Sequence, residues 1–127
     1  MLIGVQRPVF ESWIERYERL WHTPGTAGLA ELFTVDATYQ PSPWAEPVRG
    51  LDALAAFWDA ERDSPDEGFT LASEVIAVEG EVGVVRVEAT YDDGEHWRDL
   101  WVIRLDGDGR CAAFEEWPFS STQTDGH

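Results

Sequence analysis

The segment VIRLDGDGRCAAFEEW, residues 102–117, decides the fold because it joins two strand-like runs through a turn. Apolar residues typical of strands flank the DGDG tetrapeptide, whose glycines and aspartates favour a hairpin. Successive side chains of a strand point to opposite faces of a sheet, so Glu115 and Glu116 do not share a face. A sheet with one solvent-exposed face accommodates one of these carboxylates on that face, and the other is expected to face an interior.

Further segments upstream follow the same pattern. We predict strands over residues 69–78, 82–91, 96–105 and 111–119, separated by the turn sequences EGEVG, DDGE and DGDG. Short turns between long strands predict neighbouring antiparallel strands. The segment DATYQPSPW, residues 36–44, predicts a short additional strand that runs into a proline-rich loop, because proline cannot donate to a central ladder.

The first half of the chain has helical periodicity. Apolar residues recur at intervals of three and four in RPVFESWIERYERLWH, residues 7–22, and in GLDALAAFWDAERD, residues 50–63. A shorter helix is predicted within TAGLAELF, residues 26–33, and SPDEG, residues 64–68, is expected to end the third helix. Helices followed by strands are typical of an α+β domain with the helices on one face of the sheet.

Length and charge limit the classes of function. The chain is expected to form a single domain over residues 1–127, with an ordered core of about residues 8–120 and a disordered tail over 121–127. Nine basic and twenty-five acidic residues give a formal charge of −16, which disfavours nucleic acid and membrane partners. The lone Cys111 forms no intramolecular disulfide and the first residues lack a signal-peptide pattern, so a cytoplasmic location is expected.

Periodicity leaves the orientation of the strand over residues 82–91 open, because neither of its faces is cleanly polar. In one interpretation the face from Val85 to Tyr91 packs on the helices, while Arg86 and Glu88 meet water as an ion pair. In the other interpretation Arg86 and Glu88 face the interior.

Two segments carry a resemblance to a known family: LFTVDATYQPSPWAEPVRGLDALAAFW, residues 32–58, and the opening segment VIRLDGDGRCAAFEEW. With the order of three helices and then strands, they resemble the SnoaL-like branch of the nuclear transport factor 2-like superfamily, over about residues 10–119. The resemblance implies a cone-shaped α+β fold, in which a strongly curved antiparallel sheet and three helices of the N-terminal half enclose a deep apolar pocket. The family includes polyketide cyclases, ketosteroid isomerase, limonene epoxide hydrolase and binding modules, so the fold leaves the activity open.

The resemblance to ketosteroid isomerase covers only part of its machinery. The position of its catalytic aspartate is Pro41, its oxyanion-hole tyrosine corresponds to Tyr17, and its protonated aspartate corresponds to Trp101. Isomerisation by that mechanism is therefore not expected.

The resemblance to limonene epoxide hydrolase covers more of the machinery. Its arginine, its neighbouring acid and its last-strand acid correspond to Arg86, Glu88 and Glu116. A tyrosine that holds the water corresponds to Tyr39, whereas the water-binding asparagine falls on Pro41. Glutamates stand where that enzyme has aspartates, which lengthens both acidic side chains.

The same comparisons imply which side chains share one cavity. The catalytic candidates are Glu116, Glu88, Arg86 and Asp99, and the substrate-binding candidates are Tyr17, Tyr39, Trp97, Trp101, Phe114, Trp58 and Trp44. In this scheme Glu116 is the acid or base, Glu88 has the complementary role and Arg86 stabilises charge. Clustered acids predict at least one raised pKa, and the alternative for Asp99 and Glu116 is a structural buried hydrogen bond. No cofactor and no metal is expected.

Three functions remain open. The first is a cofactor-independent enzyme for epoxide hydrolysis, cyclisation or isomerisation of a small apolar molecule, and the second is a non-catalytic binding pocket, suggested by Pro41. The third is a dimerisation module, because an apolar patch is expected on the outer sheet face, where a homodimer would cover it. The patch residues expected are Val85, Val87, Ala89, Tyr91, Leu100, Val102, Trp117 and Phe119.

Overall fold

The computed structural model describes residues 4–61 and 68–123, which form three helices and six strands. The helices are α1 (Arg7–Trp21), α2 (Leu29–Leu32) and α3 (Leu51–Glu61). The strands are β1 (Phe33–Gln40), β2 (Val48–Arg49), β3 (Phe69–Glu79), β4 (Val82–Tyr91), β5 (His96–Leu105) and β6 (Cys111–Ser120). The predicted helices and long strands are confirmed, β1 begins three residues earlier than expected, and β2 was not predicted.

Two expectations fall partly outside the described residues. Of the segment expected to end the third helix, residues 64–67 lie outside, and so do residues 124–127 of the expected tail. Residues 121–123 form a turn, in which the Ser121 amide donates to the His96 carbonyl at 3.0 Å. Over the ranges 4–61 and 68–123, no helix combines the length and apolar character needed to cross a bilayer.

The strands form one open, curved sheet in the order β2-β1-β6-β5-β4-β3. Strands β3 to β6 are consecutive antiparallel neighbours, as predicted. Strand β1 pairs with β6 in parallel, so the sheet is mixed instead of purely antiparallel. This pairing brings the first strand of the chain beside the last one, and it places β1 and β6 next to each other under the helices.

Three irregularities change the register within the sheet. One lies between Phe33 and Thr38 of β1, where the pairing with β6 shifts. In β3, Val75 pairs with Val85 and Ala77 with Val84, so Ile76 is an extra residue. In β6, Cys111 pairs with Leu105 but Ala113 pairs with Arg104, so Ala112 is an extra residue. Such bulges bend a strand and exchange the faces of all the residues beyond them.

Helix α1 provides one wall of the core. Its apolar face is buried through Phe10, Trp13, Ile14 and Tyr17. The Trp13 indole N–H donates to the Leu32 carbonyl at 2.9 Å, which ties α1 to the end of α2. The ring of Phe10 lies directly against the backbone of β4, where Gly83 leaves it space.

Strand β4 has the orientation that opposes the one implied by the resemblance. Val85 and Val87 are fully buried and pair with Trp101 and Asp99 on β5. Directly paired residues of antiparallel strands share a face, so the valines face the interior and Arg86 faces outward. The expected interior position of Arg86 and Glu88 is therefore wrong. The outward orientation left open by periodicity is confirmed, but Arg86 pairs with Glu74 and Glu88 with His96.

Candidate functional site: an acidic aromatic cavity

A cavity of about 340 Å³ lies between the curved sheet and the helices α1 and α3. This volume is at the lower end of the roughly 300–1,000 Å³ of small-molecule sites. Its wall is mostly aromatic, with carboxylates distributed among the rings. The lining residues are Tyr17, Trp21, Tyr39, Pro41, Phe57, Glu61, Phe69, Leu71, Ala89, Tyr91, Glu95, Trp97, Asp99, Trp101, Glu116 and Pro118.

Depth within the cavity separates two groups of lining residues. Tyr17, Tyr39 and Trp101 are buried and form its inner end, whereas Glu61 and Glu95 are exposed and lie at its rim.

Among residues 4–61 and 68–123, no group of three or more His, Cys, Asp and Glu side chains is arranged to hold a metal ion.

Asp99 is the buried charged residue of the core, with only 8% of its surface exposed. The Trp101 indole N–H donates to its Oδ2 at 3.3 Å. No N–H or hydroxyl group of the described residues donates to its Oδ1. Burial raises the pKa of Asp99, and hydrogen bonds from Glu116 and Trp101 oppose that rise.

Glu116 on β6 lies diagonally opposite Asp99 on the neighbouring strand β5. Trp101 pairs with Glu116 and Asp99 with Pro118, so the two acids are diagonal neighbours on the inner face. Burial raises the pKa of Glu116 well above its usual range, and the hydrogen bond to Asp99, the charge of Asp99 and that of Glu61 raise it further. Both carboxyl groups therefore keep their protons to higher pH than an exposed carboxyl does, and the rise is larger for Glu116.

Two tyrosine hydroxyls lie in the same cavity. The hydroxyl oxygens of Tyr17 and Tyr39 are 2.9 Å apart. Burial raises the pKa of both tyrosines well above the usual value, so both hydroxyls stay protonated. Since one hydroxyl donates to the other, one proton of the pair is left to donate to a ligand oxygen.

Aromatic packing fixes the positions of these tyrosines. Phe114 stacks on Tyr39 with ring centroids 4.6 Å apart and on Tyr17 at 5.7 Å. Trp58 meets Tyr17 edge-on at 5.2 Å. Phe114 and Trp58 thus support the cavity wall from behind, and neither lines the cavity.

The structure brings together most of the residues predicted for the site. Tyr17, Tyr39, Trp97, Trp101, Asp99 and Glu116 all line the cavity. Trp44 does not, because it is 99% exposed in the loop between β1 and β2. Its predicted place in the substrate site is therefore wrong, since the proline-rich loop carries this side chain away from the core.

The structure removes Arg86 and Glu88 from the predicted site. The Arg86 side chain is 65% exposed and forms an ion pair with Glu74 at 2.9 Å. Glu88 contacts His96 at 2.6 Å on the same outer face. The physical reason is the β4–β5 register, which turns Val87 and not Glu88 toward Asp99.

Sequence reasoning missed several lining residues from α3 and from the β3–β4 side of the sheet. These residues are Phe57, Glu61, Phe69, Leu71, Ala89, Tyr91 and Glu95. The turn after β4 contains the signal that could have found the last three. The Tyr91 amide donates to the Glu95 carbonyl and the Gly94 amide to the Tyr91 carbonyl, which closes a three-residue loop with Gly94 at φ 96°. A DDG loop of this type pairs residue 91 with residue 95, and hence Ala89 with Trp97.

The SnoaL-like domain model matches residues 14–114, which is most of the chain. The chain belongs to the SnoaL-like domain family. No curated protein matches this SnoaL-like domain at a significant level.

Solved structures with the same fold include proteins of several descriptions. An NTF2-like protein of unknown function from Mesorhizobium loti is 22% identical, with a TM-score of 0.67 over 94% of this chain and 98% of that chain. A steroid delta-isomerase from Pseudomonas aeruginosa is 18% identical, with a TM-score of 0.64 over 96% and 86%. The epoxide hydrolase/cyclase-like enzyme SalBIII, which has a role in pyran ring formation in the polyether salinomycin, is 14% identical, with a TM-score of 0.68 over 86% and 89%. At these identities the similarity establishes the fold of the SnoaL-like domain.

Proposed function

We propose that this SnoaL-like domain is a cofactor-independent enzyme that performs acid–base chemistry on a small apolar molecule. The observation that carries the proposal is that Asp99 and Glu116 are diagonal neighbours on adjacent strands and both line an aromatic cavity. Two acids whose surroundings raise their pKa values unequally supply a base and an acid at the same pH.

The roles of the two acids follow from their surroundings. Asp99 is the base, because it accepts hydrogen bonds that stabilise its ionised form. Glu116 is the acid, because burial and the neighbouring carboxylate hold its proton. Asp99 takes one proton from water or from the substrate and Glu116 gives one proton to a substrate oxygen, so no net proton is consumed. The Tyr17–Tyr39 pair donates a hydrogen bond to the oxygen on which negative charge develops.

The reaction class is epoxide hydrolysis, cyclisation or isomerisation. Each of these reactions moves a proton to or from a site next to an oxygen, and none requires a redox cofactor. The structural neighbours described as a steroid delta-isomerase and as an epoxide hydrolase/cyclase-like enzyme support this range. The acid that complements Glu116 in this scheme is Asp99, and no longer Glu88.

A second candidate function is non-catalytic binding of a small molecule. Pro41 lines the cavity at the position where the resemblance to both model enzymes implies a polar catalytic residue. A proline side chain supplies neither a base nor a hydrogen-bonding group that could hold a water molecule. In this alternative the acid pair only orients a ligand.

Homodimerisation through the outer sheet face belongs to the same proposal. Leu100, Trp117 and Phe119 are 42%, 41% and 46% exposed on that face. Val102 is half-buried beside them, whereas Val85, Val87, Ala89 and Tyr91 face inward and leave the expected patch. The smaller patch still supports association of two copies back to back.

A ligand and turnover screen tests the proposed function. Terpenoid epoxides, steroids and aromatic polyketides are added to the protein, and thermal shift and product formation are measured for each. Glu116→Gln keeps the size of the side chain but removes the transferable proton, so turnover is expected to fall about 100-fold or more while ligand stabilisation persists.

Glu115→Gln is the matched control for this screen. Glu115 is one residue away on the outer side of β6, where it accepts a hydrogen bond from the Trp117 indole at 2.9 Å. Its substitution is expected to leave turnover unchanged. Ligand stabilisation without turnover in the unmodified protein would favour the binding alternative, and equal turnover in both variants would rule out the roles given to the acid pair.

A further inference from the structure

The charges that line the cavity have one sign. Four carboxylic acids line it, namely Glu61, Glu95, Asp99 and Glu116. Within residues 4–61 and 68–123, no arginine and no histidine lines it. The basic residues of the chain are all arginine, and the nearest candidate from the sequence comparison, Arg86, lies on the outer sheet face. Among the described residues, a ligand in this cavity therefore meets acidic side chains and no basic one.

Asp99 has unused capacity to accept hydrogen bonds. Its carboxylate offers about four lone-pair positions. The Trp101 indole N–H donates to Oδ2, and no N–H or hydroxyl of the described residues donates to Oδ1. Only 8% of the surface of Asp99 is exposed, so bulk water does not freely donate hydrogen bonds to its carboxylate. A ligand with an N–H group would supply one.

The rings around Asp99 suit a positive charge. Trp97, Trp101 and Tyr17 line the cavity beside it, and the ring centroids of Tyr17 and Trp101 are 4.8 Å apart. The faces of tryptophan and tyrosine rings attract cations, and the attraction is stronger where water is excluded. A carboxylate within an aromatic enclosure combines this attraction with direct charge pairing.

We propose that the cavity binds a monocationic, amine-bearing apolar molecule whose ammonium N–H donates to Asp99 while its apolar part packs on the surrounding rings. This inference rests on the proposed function insofar as it takes the same cavity as the ligand site, and it names the chemical class of the ligand. One positive charge on the ligand would pair with the Asp99 carboxylate, whose Oδ1 accepts from no described group. A ligand carboxylate would instead face four acids and the field of a chain of charge −16.

Three compounds of nearly equal shape test the inference. They are N,N-dimethylbenzylamine, which is a cation at pH 7, isobutylbenzene, which is neutral, and 2-methyl-3-phenylpropanoate, which is an anion. Calorimetric titration gives their dissociation constants. We expect the cation to bind on the order of tenfold more tightly than the neutral compound, and the anion to bind most weakly.

Two variants separate local recognition from the charge of the whole chain. Asp99→Asn keeps the shape of the side chain and removes its charge, so the preference for the cation is expected to disappear. Glu115→Gln removes one charge from the outer face and is expected to keep the preference. An equal loss of preference in both variants would assign it to the overall charge and overturn the inference.

The remaining outcomes distinguish this inference from the proposed function. If isobutylbenzene binds as tightly as the amine or more tightly, the cation preference is wrong and the cavity remains a site for apolar substrates. If none of the three compounds binds, both the inference and the assignment of the cavity as a ligand site are overturned.

Discussion

The two cavity acids have different surroundings although they lie on adjacent strands. Asp99 is buried and accepts from the Trp101 indole, whereas Glu116 is half-buried and lies near the carboxyl groups of Asp99 and Glu61. The pKa values of both are therefore raised above that of an exposed carboxyl, and the rise is larger for Glu116. Such a pair lowers the stability of the folded state when it ionises, because burial disfavours the charged form of a carboxyl group.

This cost predicts the pH dependence of stability. Because both pKa values are raised on folding, the folded protein binds more protons than the unfolded chain above the ordinary carboxyl range of about pH 4. The pair's contribution to the free energy of unfolding therefore falls as pH rises through the raised pKa values, and it is constant above them. Glu116→Gln is expected to lessen this fall and to be more stable than the unmodified protein at pH 8.

Denaturant unfolding at pH 5 to 8 measures this effect. Glu115→Gln is the reference variant, because it removes a carboxyl from the same strand without entering the cavity. A Glu116→Gln curve that runs parallel to the Glu115→Gln curve over the whole pH range would show that the Glu116 pKa is not raised.

The register of β4 decides what the cavity contains at the scale of single strands. The sequence predicted the bounds of this strand, because the valine-rich run and its turns are local signals. It did not predict the orientation, since Val82, Val84, Val85 and Val87 make both faces apolar. The deciding information is the pairing with β5 across the DDG loop, where Val87 opposes Asp99.

A substitution on the outer face of β4 tests this register. Arg86→Ala removes an exposed ion pair with Glu74, which is expected to change the free energy of unfolding by less than about 1 kcal/mol. Ligand affinity and turnover are expected to stay unchanged. The measurement is the same ligand screen, with Asp99→Asn as the comparison variant. A large loss of turnover in Arg86→Ala would contradict the outward position of Arg86 and indicate that its guanidinium acts in the cavity.

The contact between α1 and β4 gives a prediction about stability. A Cβ atom on Gly83 would lie 2.6 Å from the ring of Phe10, which is fully buried and has no room to move. Gly83→Ala is expected to lower the free energy of unfolding by about 1–3 kcal/mol because of this overpacking.

Denaturant unfolding of two alanine variants checks this prediction. Gly107 in the exposed turn before β6 has no heavy atom within 4 Å of an added Cβ, so Gly107→Ala is expected to stay within about 0.5 kcal/mol of the unmodified protein. Similar stability of the two variants would contradict the close approach of Phe10 to β4.

The whole molecule was predictable where signals are local and less so where distant segments meet. Helix and strand positions and the α+β class followed from periodicity, and the family resemblance added the cavity with Tyr17, Tyr39 and Trp101. The parallel pairing of β1 with β6 joins segments about seventy residues apart, and no turn sequence announces it. Glu61 was not predicted to line the cavity for the same reason. Helix periodicity shows which face of α3 is apolar, but it does not show which distant residues lie opposite that face.

Association of two copies is the prediction that concerns the molecule as a whole. Trp117→Arg is expected to shift the protein toward monomers, because it places a charge in the centre of the outer apolar patch. Sedimentation velocity measures the shift. Val35→Arg alters another exposed apolar residue, on β1, and is expected to leave the dimer intact. An unmodified protein that is monomeric at micromolar concentration would contradict the predicted dimer.

The extra residue Ala112 also bears on how this domain tolerates changes of chain length. Losing or gaining one residue before a strand exchanges its two faces, which ordinarily exposes core residues and buries polar ones. After a gain of one residue, Glu115 would take the inward position that Glu116 has now, so an acid would remain at that place in the cavity wall. After a loss of one residue, Trp117 would take the same position, so the doubled glutamate preserves the acid against insertions and not against deletions.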